Sequence, residues 1–292
     1  MQIALFGRSF NDFFSINIQH LIAKLEGSNV DLLIYEPFYE VLKTKIKFSK
    51  KHHVLKDYHD LKKGCDCLFS LGGDGTLLDT ITLVRDSGVP VLGINTGRLG
   101  FLANVTKDEI ENAVDEVLKG HFTLDQRSLL RLETENQLFG KLNFALNELT
   151  VAKKDSSSLI SISCFINDEL LNSYWADGLI VATPTGSTAY SLSCGGPIIT
   201  PDSKNFIINP IASHNLTVRP VVIPDENVIR LQVNGRENSF LVSLDSRVEF
   251  IDNTIELRIC KEQFKMNLVK LENENFFATI RNKLMWGIDK RN

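Results

Sequence analysis

The sequence predicts an α/β domain over residues 1–125, an antiparallel β-sandwich over residues 126–272, and a C-terminal helix at 273–292 that returns to the first domain. Three observations predict this. Short apolar runs alternate with amphipathic helical segments in roughly the first 125 residues, the signature of a parallel sheet covered on both faces. From "RSLLRLETE" (127–135) onward the period shifts to two, with turn signals between the runs. Helical spacing comes back only at "NFFATIRNKLMWG" (275–287).

In the first domain "IALF" (3–6) reads as a buried strand ending at Gly7. Phe14, Ile18, Leu21, Ile22 and Leu25 then recur at helical spacing, which predicts a helix over 11–25. "LLIY" (32–35), "CLFSL" (67–71) and "VPVLGI" (89–94) are the next strands. A helix over 76–87 places Leu77, Leu78, Ile81 and Val84 on one side. Thr106 and Glu109 form a capping box for a helix over 107–119, whose apolar face is Ile110, Ala113, Val114, Val117 and Leu118.

In the second domain "LISISCFI" (159–166), "VIRLQVN" (228–234), "FLVSLDSRVEF" (240–250) and "TIELRICKEQFKMNLVKL" (254–271) alternate apolar and polar. Asn167-Asp168, Asn234-Gly235 and Asp252-Asn253 supply turns between them.

Bulk properties narrow the function. The 292 residues are enough for two cores, and 43% hydrophobic with 23% charged residues is an ordinary soluble composition. A formal net charge of −4 gives no broad footprint for nucleic acid, although a local anion pocket needs only a few groups. The five cysteines, at 65, 67, 164, 194 and 260, form no C-x-x-C pair, and their odd number suits reduced thiols. "MQIALFGRSF" lacks the pattern of a signal peptide, and no apolar run nears the roughly 18 residues that span a bilayer. A cytoplasmic location is expected.

"SLGGDGTLLD" (70–79) lies where a strand gives way to a helix. In open α/β sheets ligands bind beyond the carboxyl ends of the strands. Gly72, Gly73 and Gly75 permit positive φ and close backbone approach, and a helix beginning near Thr76 directs its free N–H groups at an anion. Asp74 stands among these phosphate-suited groups. There is no G-x-x-x-x-G-K-[ST] and no protein-kinase motif set. An acid in that position suits the acceptance of a proton from a hydroxyl being phosphorylated, next to nucleotide phosphates and a divalent ion. A tight turn with a solvated Asp fits the bare motif too.

"NTGRLGFL" (95–102) follows the next strand at the same sheet end. Gly97 and Gly100 allow close approach, Phe101 suits stacking on a base or a place in the core, and Arg98 suits a phosphate or solvent. "ALNELTVAK" (145–153) sets Asn147 and Glu148 inside an apolar run. A ribose diol would satisfy such a pair, and so would a β-bulge or edge turn. "ADGLIVATPTGSTAYSLSCGGPI" (176–198) combines a strong strand with a segment rich in hydroxyls, glycine and Tyr190, suited to a long polar ligand. It contains no G-x-S-x-G.

Taken in order, "GGDGT" (72–76), "GRLGFL" (97–102), "NE" (147–148), "DGLIVATPTGSTAY" (177–190), "GGPI" (195–198), "PIASHNLTVRPVVIP" (210–224), "SLDS" (243–246) and "TIRNKLMWG" (279–287) resemble the NAD kinase family over most of the chain. "GGDGT" alone also resembles lipid kinases and phosphofructokinases; "TPTGSTAY" placed after "NE" is far more specific.

The resemblance implies a phosphofructokinase-like (Rossmann-like) α/β domain and a β-sandwich domain. It implies transfer of the ATP γ-phosphoryl group to the 2′-hydroxyl of the adenosine ribose of NAD, with a divalent cation such as Mg²⁺ whose ligands come mostly from substrate phosphates. By motif match Asp74 is the proton acceptor, with Gly75 against the dinucleotide and Phe101 at the adenine. Asn147 and Glu148 take adenine and ribose; Thr188, Ala189, Tyr190 and Ser193 line the cleft; Asp245 also binds NAD. Gly72, Gly73, Thr76 and Arg98 serve the ATP phosphates. Asp177 reaches a ligand bound to the neighbouring subunit of a homodimer or homotetramer. Two departures stand out: Ser246 replaces the usual Gly after Asp245, and Ser213 replaces a common Pro. A diacylglycerol- or sphingosine-type lipid kinase and a catalytically silent NAD(P) sensor are the alternatives.

Overall fold

Alternating strands and helices build the first unit, and antiparallel strands the second. Contacts divide the chain into Met1–Gln126 with Met266–Asn292, and Arg127–Lys265. The structure, a computed structural model, describes all residues except 11–13, 98–99, 155–158, 237, 273–274 and 288–292.

The first unit holds β1 (Gln2–Gly7), α1 (Ser15–Gly27), β2 (Asp31–Tyr35), α2 (Glu36–Leu42), β3 (His53–Leu55), α3 (Tyr58–Leu61), β4 (Cys67–Leu71), α4 (Asp74–Val84), β5 (Val91–Ile94), α5 (Ile110–Lys119) and β6 (Thr123–Arg127). Its sheet runs β3-β2-β1-β4-β5, then the strand Met266–Lys270, then β6. The pairings from β3 to β5 are parallel. Strand order reverses between β1 and β4, so their carboxyl ends, Gly7 and Leu71, flank the switch point where such sheets bind ligands. The core joins Ile3, Leu5, Phe69 and Ile94 to Ile18, Leu21 and Leu25 of α1 and to Val114 and Val117 of α5. The capping box of Thr106 and Glu109 forms as its spacing predicts, on a 3₁₀ turn that leads into α5.

Two features differ from expectation. The stretch 36–62 carries α2, β3 and α3, all short. Met266–Lys270, whose alternation suggests the sandwich, pairs parallel with β5 through Leu268↔Val91. The reason is that alternation reports one covered face and says nothing of which sheet supplies the partner strand. The C-terminal helix Phe276–Leu284 belongs to the first unit and is capped by Asn275, which accepts from the Phe277 and Ala278 N–H groups.

The second unit contains β7 (Leu130–Glu133), β8 (Phe144–Ala145), β9 (Glu148–Lys153), β10 (Ile160–Ile166), β11 (Glu169–Ala176), β12 (Gly178–Ala182), α6 (Tyr190–Ser193), β13 (Asn205–Ile211), β14 (Val221–Pro224), β15 (Ile229–Asn234), β16 (Phe240–Leu244), β17 (Arg247–Ile251) and β18 (Leu257–Lys261). They form two six-stranded sheets, β11-β10-β15-β18-β7-β8 and β14-β13-β12-β9-β16-β17. Alternate residues such as Ile160, Ile162, Leu231, Val233, Phe240 and Val242 meet in one core. Among the described residues no helix is long and apolar enough to cross a membrane.

Candidate active site

In the first unit the site grows from the carboxyl ends of β4 and β5. Asp74 opens α4 after Gly73, two residues earlier than the sequence suggests. Its carboxylate accepts three consecutive backbone N–H groups: Phe101 at 2.7 Å on Oδ2, and Leu102 and Ala103 at 3.0 Å each on Oδ1. A Cβ placed on Gly100 would lie 1.9 Å from Asp74 Oδ1. The loop after β5 therefore closes directly over the acid, and only glycine fits at that point. About four acceptor directions exist on a carboxylate, so one remains for a hydroxyl.

The glycines of the "GGDG" loop separate by role, and none of them takes a positive φ. Backbone freedom is thus not what requires glycine here, contrary to the sequence-based expectation. Gly72 is packed so closely that a Cβ would sit 2.1 Å from Thr76 Oγ1. Buried Thr76 therefore holds the loop shut from beneath. Gly73 and Gly75 have no atom within 4 Å of where a Cβ would be. Among the described residues nothing crowds these two positions, so packing within the protein does not demand glycine there. Phe101 is half-buried, and the Lys283 ammonium of the C-terminal helix lies 5.8 Å from its ring centroid. Arg98 lies outside the described residues. Arg8, not singled out in the sequence, follows β1 at the switch point and pairs with Asp79 of α4; a cation immediately after a strand ending in Gly is the signal that marks it.

In the second unit the chain leaves one sheet at β8 and enters the other at β9, and the corner is Leu146-Asn147. Asn147 and Glu148 are buried, yet Asn147 Oδ1 and Glu148 Oε2 have no hydrogen-bond partner. Such orphaned atoms cost about 1–3 kcal/mol each unless something satisfies them. Burial, then the nearby Asp245 carboxylate, push the Glu148 carboxyl up to about 8, while a hydrogen bond from the Tyr190 N–H works the other way. Asp245 is also raised, first by burial, and opposed by N–H donors from Leu146, Asn147 and Glu148 and by Arg247. With those donors and a cation around it, Asp245 is the better place for the one negative charge, which leaves Glu148 holding a proton.

A group raised in the fold contributes stability that is full below its ordinary value of 4.5 and is lost as pH climbs through about 8. Glu148→Gln, which has no proton to lose, should therefore gain melting temperature relative to wild type as pH rises from about 5 to about 9. Melts that keep a constant gap over that range would show that Glu148 is not a buried acid.

The hydroxyl-rich segment packs on β12 and β13. Gly186 approaches the corner so closely that a Cβ would be 2.1 Å from the Asn147 carbonyl oxygen. Thr188 and Ala189 are half-buried, and Tyr190 and Ser193 are exposed at α6. Tyr190 thus brings this segment to Glu148, and Asp177, just before β12, acts on Tyr190 as well and is ion-paired with Lys153 at 2.5 Å. Asn209 escaped the sequence reading. Buried in β13, it donates to the Ser191 carbonyl at 2.9 Å and holds the turn that follows α6. A lone amide inside "FIINPI" is the same kind of signal as Asn147 in "ALNELT".

An α/β unit with an acid-bearing glycine loop at its switch point, joined in one chain to a sandwich presenting orphaned polar atoms, defines a nucleotide-dependent transferase class. The ATP-NAD kinase N-terminal domain matches residues 26–122, and the ATP-NAD kinase C-terminal domain matches residues 146–271. The chain is 47% identical over 293 residues to an NAD kinase of Cytophaga hutchinsonii and 48% identical over 294 residues to one of Flavobacterium johnsoniae, covering 100% of each chain in both cases. Among solved structures, yeast NADH kinase complexed with NADH superposes with a TM-score of 0.87 at 24% identity, over 99% of this chain and 88% of that one. An NAD kinase from Archaeoglobus fulgidus in complex with ATP gives 0.75 at 22% identity, over 98% and 99%. The chain belongs to the ATP-NAD kinase family.

Proposed function

We infer that this chain is an ATP-dependent NAD kinase, transferring the γ-phosphoryl group of ATP to the 2′-hydroxyl of the adenosine ribose of NAD and yielding NADP and ADP. Full-length identity of 47–48% to NAD kinases carries the activity. The observation that carries the dinucleotide site is the orphaned pair Asn147 Oδ1 and Glu148 Oε2. No lipid kinase stands among the relatives described above, and the alternatives of lipid kinase and silent sensor gain no support.

Asp74 is the proton acceptor: the 2′-oxygen bonds to the γ-phosphorus, the bond to the ADP oxygen breaks, and the hydroxyl proton passes to the free acceptor direction of the Asp74 carboxylate. Gly75 lies against the dinucleotide, and Gly72, Gly73 and Thr76 shape the loop for the ATP phosphates at the N-terminus of α4. Phe101 flanks the adenine. Glu148, holding its proton, donates to one ligand oxygen or nitrogen while Asn147 accepts from another. Thr188, Ala189, Tyr190 and Ser193 run along the ligand.

The side chains suit a divalent ion, Mg²⁺, carried by the nucleotide phosphates rather than by a protein cage. Among the described residues no group of three or more His, Cys, Asp or Glu side chains could hold a metal. Asp74 is engaged by N–H donors and Asp79 by Arg8. When bound, the ion would neutralise charge on the transferred phosphoryl group.

Asp177 serves a ligand on a neighbouring subunit of a homodimer or homotetramer, and its bond to Lys153 must open for that. Light scattering of the purified chain tests the assembly; a monomer at assay concentrations that still turns over NAD would remove Asp177 from this role. A coupled assay for NADP, with NAD and diacylglycerol offered side by side against labelled ATP, tests the activity itself.

A further inference from the structure

We propose that Asp245 is a positioning residue for dinucleotide recognition: from the β16–β17 turn it fixes the backbone of Leu146–Glu148, so that the Asn147 and Glu148 side chains keep their free oxygens for the ligand. This rests on the reading of that pair as dinucleotide-binding, and it replaces direct contact of Asp245 with NAD.

The Asp245 side chain is only 3% exposed. Its carboxylate accepts from Leu146 N–H at 2.9 Å, Asn147 N–H at 2.8 Å and Glu148 N–H at 3.2 Å. Its own N–H donates to the Glu148 carbonyl at 3.0 Å. Thr183 completes the set, its hydroxyl donating to the Leu146 carbonyl and its N–H to the Asn147 carbonyl. Every backbone polar group of 146–148 is thereby partnered, although the segment is changing sheets and has no continuous ladder there. Arg247 extends the grip, donating to the carbonyls of Leu142 and Phe144 and lying 3.8 Å from Asp245 Oδ2. With its oxygens on three donors and a cation beside them, Asp245 has little left to offer a ligand.

The turn is built for this. β16 and β17 pair through Leu244↔Arg247, leaving a two-residue loop. Asp245 takes a left-handed φ of 52°, which Asp tolerates better than most residues. Ser246 is not among the positive-φ residues, so the backbone conformation does not require a glycine there.

Asp245→Asn keeps the size but presents an NH₂ group to at least one N–H donor. The expected result is a rise in KM for NAD of about 10- to 100-fold with KM for ATP within about twofold of wild type. A second readout separates positioning from general loosening. Glu148 faces Asp245 from the hairpin, Tyr190 of α6 and Cys194 just after that helix, while Arg247 stands beside Asp245. Removing the charge at 245 should let Glu148 ionise at lower pH, moving the alkaline fall of kcat/KM for NAD to lower pH. Should Asp245→Asn not fold, Thr183→Val, which deletes the hydroxyl grip on the Leu146 carbonyl together with the acceptor of the Gly186 N–H, must raise KM for NAD several-fold and spare ATP. An unchanged KM for NAD, or NAD and ATP constants rising together with an unmoved pH profile, overturns the proposal. Glu148→Ala, which removes both the donor and the acceptor, run in parallel tells the two readings apart. If it raises KM for NAD while Asp245→Asn does not, only the positioning role fails; if it also leaves NAD untouched, the dinucleotide reading of the pair fails.

Discussion

Asp74→Asn is expected to lower kcat by about 10²–10⁴-fold, the usual worth of a positioned general base. The structure adds a second consequence. Asp74 is also the hub that holds Phe101, Leu102 and Ala103. An amide offers one acceptor oxygen and turns two N–H donors toward a site built from N–H donors. At least one of the three bonds is lost, at a cost of about 1–3 kcal/mol. The variant should therefore fold with a lower melting temperature and bind NAD somewhat more weakly through the loosened Phe101, while the loss in kcat greatly exceeds the change in KM. A variant with near wild-type kcat would remove Asp74 as the base, whatever happened to its stability.

Gly100→Ala is expected to be nearly as damaging although it deletes no chemical group. The added methyl would sit 1.9 Å from Asp74 Oδ1 and 2.6 Å from its Cγ, far inside contact distance. Either the acid swings away or the loop lifts, and both break the N–H clasp. Overpacking of this kind costs about 1–3 kcal/mol, and kcat should fall by on the order of 10²-fold, as for other displaced catalytic groups. Gly97→Ala is the control, because a Cβ at Gly97 meets nothing within 4 Å. Its melting temperature should match wild type. Equal melting temperatures and equal kcat for Gly100→Ala and wild type would mean that the loop does not close on Asp74 as described.

These two residues also show what the sequence could convey. The strands and helices with strong periodicity, such as α1, β4, α4 and α5, are legible because one covered face repeats every 3.6 residues or the whole run is apolar. The short α2, β3 and α3 carry too few residues for a period. Met266–Lys270 alternates like a sandwich strand, and only its partner β5 reveals the sheet to which it belongs. At the site, Asn147 and Glu148 stand out because a polar pair in an apolar run needs an explanation. Asp74 stands out because an acid among glycines is odd. The manner in which each acid is used was hidden. Asp74 and Asp245 both clasp three successive N–H groups from segments far away in sequence, and no local pattern encodes a hydrogen bond across 27 or 98 residues. Asp245 for that reason reads as a ligand contact in sequence and as a buried support in the structure.

The most direct measurement of the central claim follows NADP and ADP together when wild type and Asp74→Asn are given NAD and ATP, with NAD binding recorded on the same samples. The account predicts one NADP formed per ADP by wild type, and a loss of both by about 10²–10⁴-fold in the variant while NAD is still bound. Wild type that binds NAD and forms no NADP, or a variant that forms it at the wild-type rate, would contradict it.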